Sequence, residues 1–163
     1  KRSIGILEHG MAADIACHRG VLNVGEPMAV PVIRELLRGV SQHDHLIDCP
    51  PGTSCNVVNS LKVADAAILV TEPSEFGLHD LKMAVSLVKM YGIPYGIIIN
   101  KDDCLDNMVK KYCKKEGILL LGVIPYSKEA AMLYSKGLIL SESKIYRETF
   151  EEIAVRLKEA FAW

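Results

Sequence analysis

The sequence predicts an α/β fold, a doubly wound and mostly parallel β-sheet with helices on both faces. From His45 onward, short runs of Ile, Leu and Val alternate with longer amphipathic stretches. The runs lack the polar–apolar alternation of half-exposed strands, so they are typical of strands buried on both faces. Strands that alternate with helices predict right-handed βαβ units. The predicted strands are 45–48, 67–71, 96–100 and 119–124.

Helices are predicted between these strands and at the end of the chain. The stretch 77–90 carries an apolar stripe at helical spacing, and Gly92 follows as a helix stop. The stretch 105–116 ends in lysines, which the negative end of a helix dipole favours, before Gly117. Further helices are predicted at 28–38, 56–63 and 146–161, and two strands at 3–8 and 16–24.

The composition predicts one cytoplasmic domain covering residues 1–163. A formal net charge of -1 offers no basic field to attract nucleic acid or anionic lipid. No apolar run approaches the ~20 residues that span a bilayer, and no signal-peptide pattern opens the sequence. The five cysteines are scattered, unlike those of a secreted disulfide framework. We therefore expect neither a nucleic acid nor a membrane as partner.

Chemistry is expected in the loops after the predicted strands, because ligands bind at the carboxyl ends of strands in parallel α/β sheets. An Asp that ends a hydrophobic strand, as Asp48 does, can hold a water in the shell of a phosphate-bound Mg²⁺. Gly52 lets a backbone N–H approach a phosphate oxygen closely. The alternative is that these residues only punctuate a strand–helix junction.

Four segments match, in order and spacing, the motifs of one known family. The segment 46–53 (LIDCPPGT) resembles the Walker B and switch II segment of MinD, ParA and Mrp ATPases, which have a P-loop fold. The segment 64–73 (ADAAILVTEP) resembles their next strand. The segment 96–101 (GIIINK) is similar to the strand whose terminal Asn contacts adenine, and 122–126 (GVIPY) to the strand and loop beside the base.

This resemblance implies a homodimeric switch that binds ATP and Mg²⁺. Asp48 would position Mg²⁺-bound water, and Gly52, next to Pro51, would sense the γ-phosphate. Adenine would be held by residues that end the later strands, namely Asn100, Lys101, Pro125 and Tyr126.

Two more segments narrow the resemblance. The segments 25–33 (GEPMAVPVI) and 71–81 (TEPSEFGLHDL) are similar to MinD-like ATPases that carry an inserted ferredoxin-type domain. The resemblance implies two [4Fe–4S] clusters in that insert, upstream of Lys1, and a redox or iron–sulfur client protein.

The phosphate-binding loop of this family has no counterpart here, because no Gly-x-x-x-x-Gly-Lys-[Ser/Thr] motif occurs. We therefore expect the C-terminal portion of a MinD-like domain, without its P-loop strand. Alone, this portion is expected not to hydrolyse ATP and to bind it more weakly than about millimolar. The alternative function is a non-catalytic protein-interaction module with vestigial ATPase loops.

Two cysteines are candidates for iron–sulfur binding. Cys55 begins a predicted helix, where the helix dipole favours the thiolate. The nitrogenase iron protein, a distant relative of the family, has a cluster-ligating Cys at a similar place and a second one upstream. By that resemblance, Cys17 and Cys55 of two subunits would supply the four thiolates of a [4Fe–4S] cluster. The alternative is that both are ordinary thiols, and we expect Cys113 to pack in the core.

Overall fold

Strands and helices alternate along most of the chain, as the sequence predicts. The computed structural model describes residues 2–38, 44–103 and 106–161. The chain divides into a first unit, Lys1–Ala64, and a second unit, Asp65–Trp163. The expectation of a single domain stays a prediction.

A three-stranded parallel sheet forms the centre of the second unit. Its strands lie in the order β3 (Ala67–Thr71), β4 (Tyr95–Asp102) and β5 (Leu120–Pro125). The strands predicted from the apolar runs in this part of the chain are therefore confirmed. The helices of the unit are α3 (Glu75–Met90), α4 (Met108–Glu116), α5 (Lys128–Ser135) and α6 (Lys144–Phe161).

Successive residues of β4 pack on opposite faces of this sheet, as the two-residue period of a strand requires. Ile97 and Ile99 are fully buried in a cluster with residues of α3 and α4. Ile98 packs in a second cluster with Leu121 of β5 and Ile153 of α6. Helices thus cover both faces of the sheet, which confirms the doubly wound α/β class.

Helix α6 lies close to β5 because Gly122 has no side chain. A Cβ atom added to Gly122 would lie 2.3 Å from Cγ1 of Ile153. Gly96 of β4 similarly leaves room for Leu121, whose Cγ atom would lie 2.6 Å from an added Cβ. Each glycine therefore leaves space in which a neighbouring aliphatic side chain packs against the strand backbone.

A β-hairpin and two short helices make up the regular structure of the first unit. Strand β1 (Gly5–Ala12) pairs antiparallel with β2 (Ile15–Leu22). The helices are α1 (Val30–Leu36) and α2 (Cys55–Leu61). Helix α1 packs on the hairpin through Val32, whose Cγ1 would lie 2.5 Å from a Cβ added to Gly20. Helix α2 contacts α1 in turn.

The prediction of a strand at 45–48 is wrong. Residues 44–50 form neither helix nor strand, and Leu46 is 90% exposed. A buried parallel strand needs neighbours for its backbone N–H and C=O groups. Within the described ranges, no strand pairs with this segment. Apolar content alone therefore does not make it a strand.

Helix α5 is not anticipated by the apolar pattern, because none of its residues is buried. It begins at a side-chain cap, where Oγ of Ser127 accepts the N–H of Glu129 at 3.0 Å. The helix predicted from Leu105 is described from Met108 onward, and Leu105 itself lies outside the described residues. None of the helices within the described ranges is long and apolar enough to cross a membrane.

Replacing Gly122 by Ala should lower the free energy of unfolding by about 1–3 kcal/mol, because the new methyl group overlaps Ile153. Urea denaturation measures this loss. Gly10→Ala is the matched control, since nothing lies within 4 Å of a Cβ added there. Its change should stay within about 0.5 kcal/mol. Equal losses for the two variants would contradict the close packing of α6 on β5.

Candidate functional site

Three of the four loops predicted to carry chemistry meet at one edge of the sheet, because β3, β4 and β5 are parallel. Nζ of Lys101, at the end of β4, lies 2.6 Å from Oε1 of Glu72, which follows β3. The N–H of Tyr126, which follows β5, donates to the carbonyl of Asp102 at 3.0 Å. Direct bonds therefore connect the ends of adjacent strands.

A buried carboxylate organises this edge. The side chain of Asp102 is only 2% exposed, and its Oδ2 lies 2.5 Å from Nζ of Lys110. Nδ2 of Asn107 donates to Oδ1 of Asp102 at 2.9 Å. Because a buried carboxylate is unfavourable unless it is paired and hydrogen-bonded, these two donors favour the burial of Asp102.

Asn107 connects this carboxylate to the start of α4. Its Oδ1 accepts the backbone N–H groups of Val109 and Lys110 at 3.0 and 2.9 Å, the standard bonds of a helix N-cap. Sequence reasoning missed the trio Asp102, Asn107 and Lys110. The available signal was Asn107 just before an amphipathic helix, with Asp102 five residues before it and Lys110 three residues after it.

The turn after β4 has an unusual backbone. Lys101 has φ of 55°, the left-handed region that non-glycine residues seldom adopt. Its N–H donates to Oδ1 of the preceding Asn100 at 3.0 Å, which ties the side chain of that residue to the turn. The hydrogen bond to Glu72, and then the charge of Glu72, raise the pKa of Lys101 above its usual 10.5. The ammonium is therefore charged at neutral pH.

A hydrogen bond from α6 fixes the loop after β5. Tyr146 is 1% exposed, and its hydroxyl donates to the carbonyl of Pro125 at 3.3 Å. The next residue, Tyr126, is 58% exposed although its N–H is tied to β4. The loop thus has a fixed backbone and an aromatic side chain open to a ligand.

The motif after β3 makes a tight turn into α3. Oγ1 of the buried Thr71 donates to the carbonyl of Gly77 at 3.0 Å. Oγ of Ser74 caps the helix by accepting the N–H of Gly77 at 3.0 Å. A Cβ added to Gly77 would lie 2.4 Å from the carbonyl oxygen of Glu72. Thr, Ser and Gly at these three positions are therefore explained by the geometry of the turn.

The remaining predicted site residues lie in the first unit. Asp48, Pro51 and Gly52 are exposed, and they lie in a segment without helix or strand. Gly52 has φ of 91°, and nothing lies within 4 Å of a Cβ added to it. The space beside its backbone is therefore open, as close approach of an anion requires. Their predicted roles stay predictions.

The cysteines differ in their surroundings. Cys17 and Cys55 are exposed free thiols, and no group of three or more metal-ligating side chains occurs in the part of the chain that is described. The hypothesis of a cluster shared between subunits stays a prediction. Cys113 is buried in the core of the second unit, where burial raises the pKa of its thiol. Its predicted packing role is confirmed.

Comparisons with known proteins identify relatives of this chain, although no protein-family model matches it. An uncharacterized protein of Methanocaldococcus jannaschii is 33% identical over 138 residues, which are 83% of this chain and 48% of that protein. The iron–sulfur cluster carrier protein of Pyrococcus horikoshii is 33% identical over 82% of this chain and 53% of its own length. The chain thus spans about half the length of these relatives.

A solved structure shows the same fold. It is a putative plasmid partition protein of Borrelia burgdorferi bound to AMPPNP, with a TM-score of 0.62. The similarity covers 78% of this chain and 55% of the other, at 17% sequence identity. At that identity the likeness concerns the fold.

Asp102→Asn should lower the free energy of unfolding by about 2–3 kcal/mol, because it removes the ion pair between the buried Asp102 carboxylate and Lys110. The matched control is Asp106→Asn, whose carboxylate pairs with Lys111 at 3.0 Å on the exposed surface. That loss should stay below about 1 kcal/mol. Chemical denaturation compares the two variants, and equal effects would contradict an organising role for Asp102.

Proposed function

The chain belongs to the MinD/ParA type of P-loop ATPases, and we propose that it carries the base-binding loops and switch II of a nucleotide-dependent ATPase linked to iron–sulfur chemistry. The observation that carries the proposal is the bonded edge of the sheet, where Glu72, Asn100–Asp102 and Tyr126 lie together. Two relatives, an iron–sulfur cluster carrier protein and a cytosolic Fe-S cluster assembly factor, support the link to iron–sulfur chemistry.

The second unit would hold adenine. The side chain of Asn100 is half-buried, and its Oδ1 already accepts a backbone N–H. Its amide hydrogens remain as donors for the ring nitrogens of adenine, which are acceptors. The exposed ring of Tyr126 offers an aromatic surface on which a base can stack. Lys101 fixes the turn between them through its bond to Glu72.

The first unit would respond to the phosphates. The exposed carboxylate of Asp48 is the type of group that holds water in the shell of Mg²⁺. Gly52, with open space beside it and Pro51 before it, would donate its N–H to the γ-phosphate. Mg²⁺ would neutralise phosphate charge during phosphoryl transfer when it is bound. The 163 residues contain no Gly-x-x-x-x-Gly-Lys-[Ser/Thr] motif, so the proposed site would need a phosphate-binding loop in addition to them.

We also propose a cytoplasmic homodimer that serves a redox or iron–sulfur client protein. Switch segments of nucleotide-dependent proteins become ordered or released with the nucleotide state. Cys55 begins α2, directly after the proposed switch, and its thiol is exposed. A change in the switch would therefore alter the surroundings of a reactive group that a client can reach.

The proposal is tested in a protein that contains this chain together with a phosphate-binding loop. Asp48→Asn should lower ATP turnover at least tenfold, which corresponds to about 1.4 kcal/mol of transition-state stabilisation. Asp44→Asn is the control, because it removes a carboxylate from the same exposed segment. Its turnover should stay within about twofold, and both variants should unfold like the parent protein.

Two results would count against the proposal. If the turnover of Asp48→Asn is unchanged, Asp48 has no role in catalysis and only ends the apolar run. Equal losses for Asp48→Asn and Asp44→Asn would show that the segment needs negative charge in general, and not a carboxylate at the Mg²⁺-bound water.

A further inference from the structure

Two histidines face each other across the hairpin of the first unit. His9 of β1 and His18 of β2 are directly opposite in the register. Their Nδ1 atoms are 2.5 Å apart, and the ring centroids are 4.8 Å apart with an interplanar angle of 71°. Both side chains are exposed. Neither histidine belongs to the loops that are proposed to bind nucleotide.

The short distance constrains what lies between the two nitrogens. Two neutral imidazoles can share one proton, whereas two protonated rings would repel each other. Two unprotonated nitrogens that converge can also share a cation. Metal–imidazole bonds of about 2.0–2.1 Å place two ligand nitrogens roughly 2.9–3.4 Å apart. The exposed rings need to separate by less than about 1 Å to reach that spacing, which side-chain rotation supplies.

We propose that His9 and His18 form a binding site for a late first-row divalent metal ion such as Zn²⁺, Co²⁺ or Ni²⁺. Imidazole nitrogens favour these ions over Mg²⁺ and Ca²⁺, which prefer oxygen ligands. The site has two protein ligands, and water fills the other positions. This agrees with the finding that no group of three or more metal-ligating side chains occurs among the described residues.

The hairpin holds the pair in place. Eight residue pairs join the strands, and Val32 of α1 packs where Gly5 and Gly20 lack side chains. Directly opposite residues in such a ladder have Cβ atoms about 4.5–5.5 Å apart, so both rings leave the strands side by side. The site therefore requires only a side-chain adjustment when the metal binds, and no folding step.

The neighbours of the pair face the other way. Side chains alternate between the two faces of a strand, so Cys17 and the Glu8–Arg19 ion pair belong to the face opposite His18. The Cys17 thiol donates to the carbonyl oxygen of Ile15 at 3.7 Å. The site is therefore built from nitrogen, and a thiolate is not part of it.

Co²⁺ is the probe for the test, because its visible absorption reports both geometry and ligand type. The reduced full chain is titrated with Co²⁺ at about pH 7.5. We expect one ion per chain, with d–d absorption and without a thiolate-to-cobalt charge-transfer band. His9→Ala and His18→Ala should each weaken binding at least tenfold, about 1.4 kcal/mol.

Controls separate this site from other ligands. Cys17→Ser and His79→Ala, a histidine exposed on α3, should each leave the affinity within about twofold. His18→Gln keeps a polar side chain, so it repeats the test should the alanine variant unfold by circular dichroism. Absence of cobalt absorption at millimolar metal would overturn the proposal. So would binding that survives both histidine substitutions, or a charge-transfer band that disappears in Cys17→Ser.

Discussion

The burial of one carboxylate, Asp102, is the constraint on which the candidate site depends. Its side chain can be buried because Lys110 and Asn107 supply a charge and a hydrogen bond. Asn107 also caps α4, so the same contacts set where that helix begins. The carbonyl of Asp102 in turn fixes the backbone of Tyr126. The ends of two strands and one helix thus share a single anchor.

This anchor would give the proposed base-binding edge a rigid backbone. The carbonyl of Asp102 accepts the N–H of Tyr126, and the hydroxyl of Tyr146 donates to the carbonyl of Pro125. The ring of Tyr126 stays exposed. Groups held in this way lose little conformational entropy when a ligand binds. The exposed segment with Asp48 and Gly52 has no comparable network among the described residues, which agrees with its proposed role as a switch.

The sequence predicted most of the second unit, because continuous apolar runs and helix stops are local signals. Strand β3 was predicted with its observed bounds, and β4 and β5 to within two residues. Asp102 was missed because its burial depends on Asn107 and Lys110, which the fold alone brings to it. The error at 45–48 has the opposite cause, since an apolar run there has no strand to pair with among those described. Helix α5 depends on the Ser127 cap and not on an apolar stripe.

The most direct test of the central claim is a residue-resolved nuclear magnetic resonance titration of the 163-residue chain with ATP, carried to several millimolar because the expected affinity is weaker than about millimolar. We expect the backbone amides of Asn100, Lys101 and Tyr126 to shift together and along one binding curve. It is contradicted if these amides stay unchanged while others respond, because the bonded edge of the sheet would then not be the surface that binds the base.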